Sequence, residues 1–391
     1  MRVLFLQDHV WRGGAARAAA RFAQALRVLG IEVSVVAGDE KPGEGYWLNG
    51  KPAWGLDRIL KTFQTAEGSR TYRIQNVEDK WARILEEFRP DLIWVHNLQG
   101  AIKWGWSLKL VEMAFRSAPV LWTLHDMWPL GDGPSYFPEN ELPQRWRGSA
   151  LRSLRQAMSS GKGTLLAPSD WLRNLIDSVG AGPCRTWANP LDVEAFHPRT
   201  RTAARAKLGI PEKSLLLLAT AENLEDPRKG IDLLAEVWTR FRDTPSLYLA
   251  LMGRNFPMRL KKDPKVFELG SVATEAQVAQ WMSAADLFVH PAEVESYGLV
   301  LEEAQACGTP ILAFGGGGVR ETLREGVTGW ILPNRSAKEL TKGLQRFLSQ
   351  EKGVDGMRKQ CRDFMVKKHD PSNFGKKWEE IVALLGLSRP A

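Results

Sequence analysis

Cysteine is scarce, with only Cys184, Cys307 and Cys361 in 391 residues. They lie far apart with no metal-ligand spacing, and an odd, sparse set excludes a disulfide framework and points to a reducing compartment. No apolar run approaches the roughly 18 residues of a membrane span. The first apolar run ends at Asp8, too short for a signal-peptide core. The expectation is a soluble, cytoplasmic protein, at most peripheral on the inner membrane face. G-x-G-x-x-G is missing and so is G-x-x-x-x-G-K-[ST], which takes support from a dinucleotide dehydrogenase and from a P-loop NTPase. There is no Asp-x-Asp pair to hold a metal, so no metal and no cofactor is expected. Zinc-finger and RNA-binding patterns are absent, and the net charge of +8 is spread along the chain, so nucleic acid is not indicated.

What is present reads as a globular protein, 44% hydrophobic and 25% charged, long enough for two or three domains. Apolar runs at Val3–Leu6, Glu32–Ala37, Leu92–Val95, Val120–Leu124 and Leu165–Ala167 predict buried strands, alternating with helical segments. The proline-rich, polar stretch from Ala188 to Pro198 marks a boundary. Strand and helix then alternate again from Leu215, through Leu247–Met252, Leu287–Val289 and Ile311–Phe314. The pattern predicts an α/β fold of two Rossmann-like domains facing a central cleft.

The stretch His290–Pro310 concentrates chemistry. A short strand, a turn at Gly298 and a helix from Leu299 to Ala306 present free backbone N–H groups and a positive dipole end, suited to an anion. Glu295 and Glu303 bracket the turn. Eight residues of straight helix would hold them about 12 Å apart, beyond the roughly 5–9.5 Å of a glycosidase acid/base pair, although a bend at Gly298 could shorten this. Hydrogen bonding to sugar or ribose hydroxyls suits such carboxylates better. Arg228, Lys229 and Gly230 precede a helix N-terminus, as a phosphate clamp would. In the first half, Gly13 and Gly14 lie between a strand and an alanine-rich helix, and His96 and His125 end strands where open α/β sheets place ligands. Sixteen tryptophans are many; Trp104, Trp106, Trp122 and Trp128 fall near these residues and suit either sugar stacking or core packing. Arg145, Arg147, Arg152, Arg155 and Lys162 form a basic run that suits an anionic membrane surface, a lipid-diphosphate acceptor or plain solvent.

Glu295-Ser-Tyr-Gly-Leu-Val-Leu-Glu-Glu303, followed by Ala304, Gly308 and Pro310, resembles the E-x7-E signature of retaining GT-B glycosyltransferases of family 4, the group 1 glycosyl transferases. Gly13-Gly14 resembles the family's G-G-A-x-R opening, His125-Asp126 its T-x-H-D position, and Gly315–Glu321 its G-G-x-x-E stretch. The loop after Pro129 departs from the family's Thr-Gly-Gly-Cys-like pattern. The resemblance implies an acceptor-binding domain over 1–193, a nucleotide-sugar donor domain over 194–370 and a helix over 371–391 crossing back. It implies transfer of a hexosyl unit from a UDP- or GDP-sugar to a glycan or lipid-linked acceptor, with retention, as in surface polysaccharide synthesis. By resemblance, the Gly14 backbone approaches the donor phosphate and His125 hydrogen-bonds the transferred sugar. Glu295 and the backbone of Ser296, Tyr297, Gly298, Leu299 and Val300 hold sugar and phosphate, Glu303 takes the ribose, and Arg228 and Lys229 hold the diphosphate. A nucleotide-sugar epimerase of the same fold and a non-catalytic sugar-binding module are the alternatives.

Overall fold

The computed structural model describes residues 1–10, 13–38, 45–48, 66–98, 109–130, 135–136, 149–207, 209–272, 274–350 and 354–387. Trp104, Trp106, Arg145, Arg147 and most of the loop after Leu130 lie outside these. The chain forms two compact units, Met1–Pro190 with Phe374–Ala391, and Leu191–Asn373.

The first unit runs β1 (Arg2–Gln7), α1 (Gly13–Val28), β2 (Glu32–Ala37), β3 (Tyr46–Trp47), α2 (Ala66–Phe88), β4 (Leu92–Val95), α3 (Lys109–Ser117), β5 (Val120–Thr123), α4 (Ser149–Met158), β6 (Gly163–Ala167), α5 (Asp170–Ser178) and β7 (Cys184–Thr186). Its strands form one parallel sheet in the order β3-β2-β1-β4-β5-β6-β7. Val3 to Leu6 of β1 are wholly buried. A central parallel strand is covered on both faces, which is why the run is continuous and not alternating. Alanines let α1 lie close to the sheet: Ala16, Ala18, Ala19 and Ala23 are buried with Phe22 and Leu26. Ser169 caps α5, accepting from the Leu172 N–H at 3.2 Å.

The second unit runs α6 (Arg201–Lys207), β8 (Leu215–Asn223), α7 (Ile231–Trp238), β9 (Leu247–Arg254), β10 (Val266–Gly270), α8 (Glu275–Ala284), β11 (Leu287–His290), α9 (Leu299–Ala306), β12 (Ile311–Phe314), β13 (Gly329–Leu332), α10 (Ala337–Leu348) and α11 (Asp355–Lys368). Its parallel sheet has the order β10-β9-β8-β11-β12-β13. Two apolar layers sandwich it. Leu217 and Ala219 of β8 enter one, Leu216 and Leu218 the other, as the two-residue period of a strand dictates. A last helix, α12 (Pro371–Leu384), buries Trp378, Ile381 and Val382 in the core of the first unit with Phe22, Trp94 and Trp187.

Both sheets follow the order 3-2-1-4-5-6, the first with β7 added at its edge, so each reverses direction beside its first strand: between β1 and β4, and between β8 and β11. Crevices at the carboxyl ends of strands flanking such a point are where this architecture binds ligands. Helix α11 is missing from the pattern read in the sequence. It buries Cys361 and Met365 and also docks through arginine: Arg358 donates to the Ala285 and Ser283 carbonyls at 2.8 Å each, and Arg362 to those of Val193 and Phe196 at 2.7 and 2.8 Å. In the basic run, Arg155 donates to the carbonyls of Val179 and Gly180 and so serves the C-terminal end of α5.

Candidate functional site

In the second unit the site grows from two loops, one after β8 and one after β11. Asp226 caps the first, its carboxylate accepting from the Arg228 N–H at 3.0 Å. The turn ends at Gly230, which has φ 66° and sits so close to the next loop that an added Cβ would lie 2.1 Å from the Pro291 carbonyl oxygen. Only glycine permits both. The loops are then tied: the Glu293 N–H donates to the Arg228 carbonyl at 2.8 Å, and the Arg228 guanidinium to the Val294 carbonyl at 3.1 Å. Arg335, from beyond β13, bridges both by donating to the Pro227 carbonyl at 2.9 Å and the Pro291 carbonyl at 3.5 Å.

This lacing brings Lys229, Arg228 and Glu295 together. The Lys229 ammonium donates to one oxygen of Glu295, and the Arg228 guanidinium lies 3.4 Å from the other. His290 Nε2 is 3.6 Å away. Burial raises the Glu295 carboxyl, but Lys229, His290 and Arg228 lower it by more and leave it at about 2. The group is an anion throughout the neutral range, so it accepts hydrogen bonds and does not donate a proton. Burial takes His290 the other way, to about 4, leaving it neutral. Asp226 also lies 3.5 Å from the Arg228 guanidinium, so the two cations stand against two carboxylates beside a neutral imidazole.

Beside this cluster the chain turns into α9. Gly298 has φ 96°, and an added Cβ would meet the Leu301 side chain at 2.9 Å. Gly298 offers no side-chain cap to the first N–H groups of α9. Glu295 is further fixed by pairing with Gly317, as the Gly318 N–H donates to the Glu295 carbonyl at 2.9 Å. Ser296 and Tyr297 are buried, and Glu303, one turn into α9, is fully buried.

Glu302 carries no role in the sequence reading, yet it is fully buried in the same helix. Its carboxylate accepts from the Tyr297 hydroxyl at 2.6 Å, from Lys368 at 2.8 Å, and lies 3.0 Å from His369 Nε2. Burial would raise Glu302; Lys368 and His369 outweigh it and hold it near 2. The network locks the Tyr297 side chain, and with it the turn before α9. A second glutamate next to Glu303 on a mostly apolar helix was the available signal.

In the first unit, Gly13 and Gly14 form the N-terminus of α1 after β1, with Gly13 at φ 85°. An added Cβ at Gly14 would meet nothing within 4 Å. Packing therefore does not demand glycine at 14. His96 follows β4 and His125 follows β5, and their ring nitrogens Nδ1 and Nε2 approach to 2.9 Å. Burial lowers His125 to about 4 and lowers His96 well below its usual range, with His125 adding to the effect on His96. Trp122 is core, its indole donating to the His96 carbonyl at 3.1 Å, and Trp128 is buried with it. Neither is an open stacking face. Asp126 accepts from the Trp128 N–H at 2.9 Å.

Among the described residues, no three His, Cys, Asp or Glu side chains gather as metal ligands, and no helix is long and apolar enough to cross a membrane. The three cysteines are buried and unpaired as disulfides.

Residues 12–195 match the family model described as Glycosyltransferase Family 4, and residues 200–364 that described as Glycosyl transferases group 1. A D-inositol 3-phosphate glycosyltransferase of Geodermatophilus obscurus is 32% identical over 201 residues, 46% of this chain and 44% of that protein. That of Mycobacterium bovis is 28% identical over 280 residues, 66% of this chain and 54% of that protein. The match thus spans about half the length of these curated relatives. Among solved structures, a sucrose-phosphate synthase from Thermosynechococcus elongatus superposes with a TM-score of 0.74 at 20% identity, covering 98% of this chain and 99% of that one. HepE of Anabaena, in complex with UDP and glucose, superposes with a TM-score of 0.70 at 17% identity, covering 98% and 99%. These likenesses show the GT-B fold.

Proposed function

Since the chain belongs to glycosyltransferase family 4, we propose that it moves a hexosyl unit from a UDP- or GDP-sugar to a glycan or lipid-linked acceptor, with retention of configuration and without a metal. The observation that carries this is the cluster of Arg228, Lys229 and Glu295 beside the uncapped N-terminus of α9. When the sugar leaves, negative charge grows on the departing diphosphate, and fixed positive groups in a partly dry site stabilise it. Lys229, Arg228 and the N–H groups of Leu299 and Val300 serve that purpose, in the place a metal ion takes elsewhere. Glu295 holds the two cations and accepts from sugar hydroxyls, Ser296 to Val300 line the sugar and phosphate, and Glu303 takes the ribose. In the other unit, the Gly13-Gly14 backbone meets donor phosphate, and His125 hydrogen-bonds the sugar.

HepE binds UDP and glucose, which supports a uridine nucleotide as the first donor to try. The acceptor is a growing surface polysaccharide on a lipid carrier, reached from the cytoplasmic face. The relatives that act on an inositol phosphate make a phosphorylated polyol the second acceptor to try. An epimerase would interconvert nucleotide sugars with no acceptor-dependent release of nucleoside diphosphate. The test is acceptor-dependent release of nucleoside diphosphate by the wild type and by folded Lys229→Ala and Glu295→Ala variants, in the presence of a chelator. The proposal expects release by the wild type and its loss in both variants; full activity in either variant would sink the site assignment.

A further inference from the structure

His96 is 1% exposed and sits in an aromatic cage. The rings of Phe5, Trp94 and Phe22 lie 5.0, 5.6 and 6.2 Å from its own, inclined by 31°, 19° and 42°. Its backbone is fixed as well: the His96 N–H donates to the Leu6 carbonyl at 2.9 Å, and its carbonyl accepts from the Trp122 indole. One edge, Nδ1, meets His125 Nε2 at 2.9 Å, with the two rings within 17° of parallel. The other edge, Nε2, is buried and makes no hydrogen bond.

A bond between two imidazole nitrogens needs one proton, not two. Both rings are neutral near pH 7, so two arrangements exist. If His125 Nε2 carries the shared proton, His96 must keep its own on Nε2, an N–H sealed among hydrocarbon. The nearby rings lie closer to parallel than to perpendicular, and an N–H in the ring plane does not strike their faces. Buried donors without acceptors are rarer than buried lone pairs without donors. If His96 Nδ1 carries the shared proton, only a lone pair is left in the cage. His125 then accepts at Nε2, and its own proton sits on Nδ1.

We propose that His96 is a positioning residue that holds His125 as its Nδ1–H tautomer, so that His125 meets the transferred sugar as a hydrogen-bond donor and never as the proton acceptor. This deepens the function proposed above and rests on it for the sugar, though not for the tautomer. It gives His125 a defined electrostatic task. A donor N–H aimed at a sugar hydroxyl oxygen orients the sugar for transfer, while the negative charge of the step grows on the departing diphosphate, and it leaves deprotonation of the acceptor to another group.

The test starts with the full chain carrying 15N-labelled histidine, in long-range proton–nitrogen spectra near neutral pH. His96→Phe and His125→Phe variants assign the signals among the six histidines. The expected result is His125 Nδ1 protonated and Nε2 unprotonated, with His96 protonated on Nδ1. A proton on His125 Nε2 would overturn the proposal. Kinetics follow: phenylalanine at 96 keeps a ring in the cage but removes the donor, so kcat falls by about tenfold, the worth of one hydrogen bond to a neutral group. Donor KM stays within about twofold, and the His125 nitrogens report a mixture of tautomers. His96→Asn, which returns an amide N–H near the Nδ1 position, recovers part of kcat. A His96→Phe enzyme that loses the single tautomer yet keeps full kcat would also overturn the positioning role. Were the wild type inactive with every nucleotide sugar, the transferase reading would fall, while the spectra would still decide the tautomer.

Discussion

Replacing Gly14 with alanine separates the function of the glycine pair from its packing. Glycine in a helix costs about 0.5–1 kcal/mol relative to alanine, because the unfolded chain is freer. Gly14 lies in the first turn of α1, has no left-handed backbone, and has open space within 4 Å of where a Cβ would stand. Alanine therefore fits without strain and stabilises by up to about 1 kcal/mol, which for a unit of this size raises Tm by roughly 1–4 °C. If the Gly14 backbone meets the donor phosphate, the new methyl stands between them and displaces the donor by about 1 Å. A misplacement of that order costs about a hundredfold in rate. The expected variant is thus more stable and about a hundredfold poorer in kcat/KM, measured by calorimetry and by nucleoside diphosphate release on one preparation. An alanine enzyme with wild-type kcat/KM would refute the phosphate contact, and a destabilised one would refute the packing argument.

Two further predictions concern the second unit. Glu302→Gln leaves Lys368 beside Tyr297 without its anion and lowers stability by about 2 kcal/mol, less than for a fully buried pair because Lys368 is partly exposed; urea titration of the variant beside the wild type checks this, and equal stability would contradict it. Stability also falls in acid in two stages. His290 is neutral when folded, titrating at about 4 against an ordinary 6.5, so the unfolded chain binds the extra proton and stability is lost as pH drops from 6.5 to 4, by at most about 3 kcal/mol. Glu295 and Glu302, held near 2 against an ordinary 4.5, contribute stability that is full above 4.5 and is lost only as pH falls toward 2. His96 and His125 are lowered in the same direction and share this stage, so a His290→Phe variant should shrink the upper stage in a Tm-against-pH series without removing it, and an unchanged profile would contradict the assignment.

The architecture was legible because parallel strands buried on both faces leave continuous apolar runs: Val3–Leu6, Leu92–Val95 and Ile311–Phe314 need no neighbours to be recognised. Helix starts were legible where a side chain does the capping, as Ser169, Thr274 and Ser336 do. Short edge strands such as β7, Cys-Arg-Thr, were not, since three residues show no period. Helix α11 hid for a different reason: its short apolar stripe of Met357, Cys361 and Met365 is set among charged residues, and the arginines that help dock it bond to distant carbonyls that no periodicity encodes. Arg228, Lys229, Glu295 and Gly298 were singled out by residue type and spacing. Their lacing by Arg335, the buried Glu302–Lys368–His369 network and the pairing of His96 with His125 depend on which loops meet, and no local stretch carries that information.

The donor clamp is tested most directly by thermal shift of the full chain with UDP, GDP, ADP and their sugar conjugates, with and without chelator, beside a folded Lys229→Ala variant. A ligand that binds the folded state raises Tm with its occupancy. One nucleotide sugar should raise the wild-type Tm equally with and without chelator, and Lys229→Ala should abolish the shift. A shift that needs metal, or one that survives loss of Lys229, would contradict a clamp made of Arg228, Lys229 and the N-terminus of α9.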